Sequence, residues 1–179
     1  MRSSHALRTV LLSGLLLGLV AASCVPTNAA SISRRHAREI PATRATRMLR
    51  VYYIAVGDNG RAGPRIGCGD SAVAVLRPVL KTSTPLAAAL RLLLSDRRPY
   101  YGKSGLYNAL YQARLTVNSV VIRNGRAVIN LRGKLNLRGV CDNPRVEAQL
   151  KRTAFQFPTV HSVAIFVNSV PLWKVLSTR

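Results

Sequence analysis

The apolar residues of the chain form runs that predict several strands. β-Branched and aromatic positions predict strands at Leu49–Val56 and Ala72–Val79, with a glycine-rich loop at Gly57–Asp70 between them. Pro78 lacks the N–H that a central strand needs, and it therefore indicates that the second strand lies at a sheet edge or ends there.

Two further segments have the apolar spacing of helices. Thr84 and Pro85 provide an N-cap and a first helical residue. The stripe that follows predicts one buried face: Leu86, Leu90, Leu93 and Leu94. A second helix, capped by Asp142 or Asn143, ends at Pro158. Its inward stripe contains Val146, Leu150, Thr153, Ala154 and Phe157.

The remaining elements complete the fold prediction. Leu115–Ile122 and Ala127–Leu131 flank Asn-Gly, the preferred centre of a type I′ turn, and so predict a hairpin. Val160–Val167 alternates like a strand, and Pro171–Leu176 predicts a short closing helix. The order β-β-α-β-β-α-β predicts an α+β fold, in which a small mixed or antiparallel sheet has two helices packed on one face.

A tyrosine-rich stretch lies between the first helix and the hairpin, at residues 100–115. Tyrosines and leucines recur there at a spacing of four residues, which predicts a short helical turn from Ser104 onward, with Tyr107 and Tyr111 packed on the core. The start of the stretch carries the candidate contact residues for a partner: Tyr100, Tyr101 and Lys103.

The N-terminus has the features of an export signal. Arg2 and Arg8 precede the charge-free apolar stretch Val10–Ala22, which is short for a bilayer-spanning helix but suits a signal peptide. The small residues before Cys24 resemble a lipobox, in which Cys24 would be lipidated and become the new N-terminus. Cleavage after Ala29 is the alternative and would give a secreted protein.

The predicted organisation has three parts. An export signal is followed by a segment rich in arginine, which would hold a lipid-anchored domain near an anionic membrane surface. A single folded domain comes last. The boundaries are 1–24 for the signal, 25–47 for the linker and 48–179 for the domain.

The charge of the chain favours binding to polyanions. Lys and Arg number 27 against six acidic residues, for a formal net charge of +21. Nucleic acid, anionic lipid headgroups and acidic wall polymers would all be attracted to such a surface. A compositional bias towards arginine explains the same count, and the basic residues form no long run, which weakens the case for nucleic acid.

Two of the three cysteines are expected to pair. If Cys24 carries lipid, Cys68 and Cys141 remain, and in an exported protein they most simply form a disulfide. Such a bridge closes a long loop and would stabilise the fold by about 3–4 kcal/mol.

The sequence provides little catalytic chemistry. Asp58 and Asp70 flank the glycine loop and are the only plausible acid/base pair, although aspartates beside glycines more commonly form turns. Lys103 and Ser104 are adjacent, which usually points two side chains apart, and His161 reads as a surface or edge residue. We therefore expect no enzyme activity, no cofactor and no metal.

Four segments match, in order, the pattern of a known bacterial domain. They are IGCGDSAVAV (Ile66–Val75), YYGKSGLYNALYQARL (Tyr100–Leu115), GVCDNPRVEAQL (Gly139–Leu150) and FPTVHSVAIFVN (Phe157–Asn168). Together they resemble the GerMN domain of sporulation- and germination-type exported lipoproteins, over about Met48–Leu176.

The resemblance implies more than the composition does. Family members are exported, often lipid-anchored and not known as enzymes, and their fold is a small α/β module similar to the ring-building motifs of secretion-like assemblies. Cys68 and Cys141 lie inside matching segments, which is compatible with the disulfide. This chain differs from the sporulation protein of the family in two ways: it has one such domain where that protein has a tandem pair, and its arginine content is unusually high.

Three functions are therefore weighed. The leading one is a non-catalytic, exported and lipid-anchored interaction module of the cell envelope, with envelope proteins as partners. The alternative is an extracytoplasmic protein that binds nucleic acid or anionic wall polymer through arginines and exposed tyrosines. A third, an envelope hydrolase, would depend on Asp58 and Asp70.

Overall fold

The computed structural model describes residues 45–177, so the signal, Cys24 and nearly all of the linker lie outside the described residues. The first sheet is a hairpin of β1 (Thr46–Ala55) and β2 (Ser71–Leu80), paired antiparallel along their full lengths. Each strand pairs with only one other, so Pro78 lies in an edge strand as predicted. Val51 and Tyr53 of β1 face the core and are fully buried.

The second sheet contains β3 (Arg114–Arg123), β4 (Arg126–Lys134), β5 (Ser162–Val167) and β6 (Val170–Pro171), in that spatial order. β3 and β4 are antiparallel, β4 and β5 are parallel, and β5 and β6 are antiparallel, so the sheet is mixed. The residues of the predicted Asn-Gly turn both have positive φ, as a type I′ turn requires.

Three helices complete the described part of the chain: α1 (Pro85–Ser95), α2 (Asp142–Phe155) and α3 (Leu172–Ser177). The predicted apolar stripe of α1 is entirely buried. The prediction that Asp142 or Asn143 caps α2 was wrong, because Cys141 is the N-cap residue. The Asp142 carboxylate instead accepts hydrogen bonds from residues outside the first helical turn.

The α+β class, the mixed sheet and the packing of helices on it are confirmed. The strands divide into two sheets, and hydrophobic alternation alone does not specify which strands pair. Side chains from both sheets and all three helices share one hydrophobic core. No helix in residues 45–177 is long and apolar enough to span a bilayer.

The tyrosine-rich stretch is not helical, so the predicted helical turn was wrong. The backbone of Tyr107 exchanges two hydrogen bonds with Ile54 of β1, at 2.9 and 2.7 Å, and forms an isolated bridge there. Gly102 and Gly105 have positive φ values of 52° and 72°, a conformation that interrupts helices. The segment therefore docks beside β1 as an irregular strap, with turns on both sides of the bridge at Tyr107.

Candidate interaction surface

The tyrosines converge in space on one side of β1. The ring of Tyr101 stacks on Tyr53 with centroids 4.8 Å apart, and the ring of Tyr107 lies 5.9 Å from Tyr100 and 6.3 Å from Tyr111. Offset and edge contacts of this kind stabilise aromatic clusters beyond the area they bury. Tyr107 and Tyr111 are half-buried, and Tyr107 packs against the core as predicted.

The three candidate contact residues occupy different environments. Tyr100 is 54% exposed and Lys103 is also exposed, so both are accessible to a partner. Tyr101 is half-buried: its ring contacts Tyr53, and the guanidinium of Arg77 lies 5.4 Å from its ring centroid. The accessible part of this surface is therefore the loop tip that carries Tyr100 and Lys103.

The buried carboxylate of Asp96 is hydrogen-bonded to Tyr53 of the tyrosine cluster. The hydroxyl of Tyr53 donates to Asp96 Oδ2 at 2.9 Å, and Arg98 donates to both carboxylate oxygens at 3.0 and 3.1 Å. Burial by itself would raise the pKa of Asp96, but the hydrogen bonds from Arg98 and Tyr53 outweigh it and hold that pKa below its usual value. Burial, with added contributions from Asp96, raises the pKa of Tyr53.

Arg145 joins two other buried carboxylates. Its Nε donates to Asp70 at 2.6 Å and its Nη1 to Asp142 at 3.3 Å, which makes it a bridge between the glycine loop and α2. The Tyr107 hydroxyl donates to the same Asp142 at 3.3 Å, and the Arg145 guanidinium lies 5.4 Å from the Tyr107 ring centroid. Burial of the phenol, together with the Asp142 charge, raises the pKa of Tyr107 to about 12.

A disulfide lies beside this ionic bridge. Cys68 and Cys141 are joined, with their Cα atoms 5.8 Å apart. The bond ties the loop between β1 and β2 to the N-terminus of α2, the same two elements that Arg145 and Asp70 connect. Two independent links, one covalent and one ionic, therefore hold this end of the domain.

Asp58 and Asp70 organise the glycine loop. Asp58 accepts hydrogen bonds from the backbone of Gly60 and Ala62 and from the Ser71 hydroxyl. Asp70 accepts from the Gly57 backbone at 2.8 Å, in addition to the Arg145 bond. The expectation of a turn-forming aspartate is confirmed for Asp58, whereas Asp70 joins distant segments, and both carboxylates serve the fold.

A buried amide network lies between the tyrosine stretch and α2, and sequence reasoning missed it. Gln149 accepts from the backbone N–H of Ala109 at 2.9 Å and donates to the carbonyl of Tyr52 and to Asn108. Asn108 in turn donates to the Asp96 carbonyl at 2.9 Å. A glutamine three residues after Val146, on the apolar face of α2, was the signal available in the sequence.

A basic groove adjoins the tyrosine cluster at Tyr111. Arg97 and Arg114 line a cavity of about 490 Å³, together with polar side chains of Tyr111, Gln112 and Asn136. A second cavity of about 320 Å³ shares Arg97. Neither Arg97 nor Arg114 has an acidic partner among residues 45–177.

The chain matches a known class of domain. A family model named Germane, with the description "Sporulation and spore germination", matches residues 50–172. The chain belongs to this family, and its predicted resemblance to the GerMN domain is confirmed. No curated protein matches the sequence significantly.

One solved structure, with a TM-score above 0.5, agrees with this assignment at the level of the fold. The tandem GerMN domains of the sporulation protein GerM from Bacillus subtilis match with a TM-score of 0.52 and 20% identity, over 74% of this chain and 43% of that chain. The first GerMN domain of the same protein matches with a TM-score of 0.49, 19% identity, and coverage of 70% and 85%. The structure named "Putative Lipoprotein from Clostridium perfringens" matches with a TM-score of 0.38, 18% identity, and coverage of 70% and 77%. The chain thus spans less than half of the tandem structure.

Proposed function

We propose that the chain is a non-catalytic, exported and lipid-anchored interaction module of the cell envelope. One observation carries the proposal: the described carboxylates of this GerMN-type domain are engaged in its own fold. Asp58 and Asp70 hold the glycine loop, Asp96 holds the tyrosine cluster, Asp142 binds Arg145, and Glu147 pairs with Lys151. The described carboxylates are thus committed to structure, while aromatic and basic side chains remain exposed.

The anchor is tested by the mass of the mature chain and by its distribution between fractions. We expect the mature protein to begin at Cys24 with a lipid-sized mass increment and to sediment with membranes. Cys24→Ala should move it to the soluble fraction. Ala29→Arg, which blocks the alternative cleavage, should leave anchoring unchanged. An unmodified chain that begins at Ala30 would contradict the anchor.

The interaction role is tested by crosslinking in the native membrane, followed by detergent extraction, capture of the chain and mass spectrometry. We expect envelope proteins to be enriched, and we expect Tyr100→Ala and Lys103→Ala to reduce that enrichment if the loop tip is a contact. Asn118→Ala, an exposed change on β3 away from the loop tip, serves as the control. Capture of the same proteins by a matched, unrelated lipoprotein would refute a specific role.

The basic groove supports the second candidate function, binding of a phosphodiester polymer. Unpaired guanidiniums in a groove are suited to phosphate, and each phosphate contact releases counterions, so affinity falls steeply with salt. We expect the double variant Arg97→Ala/Arg114→Ala to reduce the slope of log affinity against log salt by about 1.5, for both single-stranded DNA and a polyglycerol phosphate.

The control for this candidate removes two charges elsewhere. Arg61→Ala/Arg65→Ala, in the glycine loop, should reduce the slope less, because those side chains lie outside the groove. A preference for DNA over polyglycerol phosphate, lost in Tyr100→Ala, would favour base stacking at the loop tip. Lack of binding to either polymer at low salt would eliminate the candidate.

A further inference from the structure

The two faces of the β1–β2 hairpin differ in burial. Leu49, Val51 and Tyr53 alternate along β1, and all three are buried. Because side chains alternate across a strand, the residues between them point to the opposite face. On that face Met48 is 53% exposed, and Arg50 is exposed as well. This second face, which we call the outer face, is therefore open to solvent at its Met48 end.

Apolar side chains of β2 complete a patch around Met48. Pro78 is the direct cross-strand partner of Met48, and Leu76 and Leu80 occupy the two diagonal positions on the same face. Leu76 is 57% exposed and Leu80 is 51% exposed, and Pro78 is also exposed. We call these four residues the apolar patch. Single apolar residues on a surface are ordinary, whereas adjacent ones mark a site of contact with a protein or a membrane.

The charged side chains of β1 and β2 are all basic. Arg50 lies on the outer face, directly opposite Leu76. Arg47 of β1 and Lys81, the residue after β2, are exposed at the end of the hairpin. Apolar side chains flanked by arginine and lysine suit the interface of an anionic bilayer, because the apolar groups enter the headgroup region while the cations meet the lipid phosphates.

The chain enters the domain beside the apolar patch. The carbonyl of Ala45 accepts a hydrogen bond from the N–H of Lys81 at 2.9 Å, so the chain arrives at the Leu80 end of the hairpin. Only the segment 25–44, with four arginines and one acid, separates this point from Cys24. A lipid on Cys24 would therefore hold the patch within about 70 Å of the bilayer, which raises its effective concentration there.

We propose that the apolar patch docks on the surface of an anionic phospholipid bilayer, with Leu76 and Leu80 inserted among the headgroups and Arg50 at the lipid phosphates. The inference rests on the proposed lipid anchor and adds the face through which the domain itself meets the membrane. One anchored end and one docked face would together fix the orientation of the domain on the membrane.

Charge and position decide between a bilayer and a second copy of the chain. Two copies that met through the apolar patch would bring their basic flanks together, and like charges oppose such an interface. An anionic headgroup layer has the opposite charge. The anchor would also deliver the bilayer to the end of the hairpin where the patch is open.

The first test uses the mature chain with Cys24→Ala, so that no attached lipid contributes to binding. The probes are vesicles of equal parts phosphatidylcholine and phosphatidylglycerol, with vesicles of phosphatidylcholine alone for comparison, and flotation measures the partition coefficient. We expect Leu76→Ser/Leu80→Ser, which leaves the charge unchanged, to weaken binding to the anionic vesicles by about tenfold.

The matched control removes two apolar side chains in other elements. Val140→Ser/Trp173→Ser should leave the partition coefficient unchanged, although Val140 is 77% exposed and Trp173 is 68% exposed. Because these side chains are more exposed than those of the apolar patch, the comparison separates a specific docking face from general surface hydrophobicity.

A second pair of variants tests the role of charge. Arg47→Gln/Arg50→Gln should weaken binding to anionic vesicles by about tenfold, because basic groups close to the headgroups contribute most. Arg123→Gln/Arg126→Gln removes two exposed charges at the turn between β3 and β4 and should weaken it less. Equal losses in the two pairs would show that net charge, and not this face, binds the vesicles.

An environment-sensitive fluorophore reports which face meets the bilayer. In the Cys24→Ala chain Cys68 and Cys141 are joined, so Leu76→Cys supplies a free thiol for labelling. We expect the emission of this label to shift to the blue on vesicle binding and to be quenched by lipids with a spin label near the headgroup. The same label at Val140→Cys should show neither change.

Four outcomes bear on the occupant and on the anchor. Equal vesicle binding by Leu76→Ser/Leu80→Ser, or a label at position 76 that stays in water in a bound chain, would overturn the inference and leave the patch to a protein partner. Dimers in sedimentation that this double variant abolishes would assign the patch to a second copy. Loss of docking with a confirmed lipid on Cys24 refutes the docked face alone, whereas intact docking with an unmodified Cys24 refutes the anchor alone.

Discussion

Arg145 is the side chain on which the charge balance of the buried region depends. It is 16% exposed and contacts two carboxylates that are almost completely buried, Asp70 and Asp142. A planar guanidinium reaches both at once, whereas the ammonium of lysine is a single point charge on a different stem. Without Arg145, two negative charges would be left near each other with little access to water.

We therefore expect Arg145→Ala to lower the free energy of unfolding by about 3–5 kcal/mol, measured by urea denaturation at neutral pH. Arg145→Lys should recover only part of this loss. Lys151→Ala is the control, because the Lys151–Glu147 pair is considerably more exposed and should contribute about 0.5 kcal/mol or less. Equal losses in the two alanine variants would contradict the role of burial.

Tyr107 makes the stability of the domain sensitive to alkaline pH. Burial and the Asp142 charge raise its pKa to about 12 in the folded chain, against about 10 in an unfolded one. The fold therefore favours the protonated phenol, and this contribution is complete below pH 10 and is lost as the pH rises towards 12. We expect the free energy of unfolding to fall in that window, and the fall to be smaller in Tyr107→Phe.

The measurement combines urea denaturation between pH 9 and 12 with tyrosinate absorbance. Tyr53, whose pKa burial also raises, should account for part of the remaining fall. Tyr100→Phe, at an exposed ring, is the control and should leave the fall unchanged. An unchanged pH dependence in Tyr107→Phe would show that Tyr107 does not contribute.

At the scale of elements, the contact between β3 and β4 depends on one glycine. Gly133 of β4 has a φ of 122°, and a Cβ there would lie 1.9 Å from the carbonyl oxygen of Arg114 on β3. The backbone of Gly133 also exchanges hydrogen bonds with the Asn168 side chain, which couples β4 to the turn after β5. Any side chain at this position would disturb both contacts.

We expect Gly133→Ala to lower the free energy of unfolding by about 3 kcal/mol, since steric overlap and an unfavourable φ act together. Gly102→Ala is the matched control, because Gly102 has a positive φ of 52° but no atom within 4 Å of the added Cβ. Its cost should be about 1 kcal/mol. Both costs are measured by thermal and urea denaturation. Equal costs for Gly133→Ala and Gly102→Ala would contradict the steric argument.

Elements with strong local signals were predictable, and those fixed by distant partners were not. The leucine stripe of α1 and the Asn124-Gly125 turn follow from residues within one element, and both are confirmed. The strap at Tyr107 has the spacing of a helix, but two backbone hydrogen bonds to Ile54, 53 residues away, outweigh that weak preference. Asp142 was assigned to a local cap, yet its carboxylate binds Tyr107 and Arg138.

At the scale of the molecule, one covalent bond closes the largest loop. The Cys68–Cys141 disulfide spans a sequence separation of 73 residues and connects the first sheet's loop to the helix that packs beside it. The bond restricts the unfolded chain more strongly than the folded one, and this restriction grows with the length of the loop. The whole domain should therefore depend on it.

We expect the double variant Cys68→Ala/Cys141→Ala to lower the free energy of unfolding by about 4 kcal/mol and to raise the urea m-value, because the unfolded chain becomes more expanded. Cys24→Ala removes the third cysteine and keeps the disulfide, so it should leave both quantities unchanged. Unchanged stability in the double variant would show that the bond does not restrain the unfolded chain as expected.

The sequence by itself determined the α+β class, the order of the main strands and helices, the buried stripe of α1 and the GerMN-type family. These follow from periodicity, turn residues and motifs, which are local properties of the chain. The tertiary structure decided how the strands divide into two sheets and where Arg145 meets its carboxylates. Asp70 and Arg145 are 75 positions apart, and such pairs form only when packing of the whole core brings distant segments together.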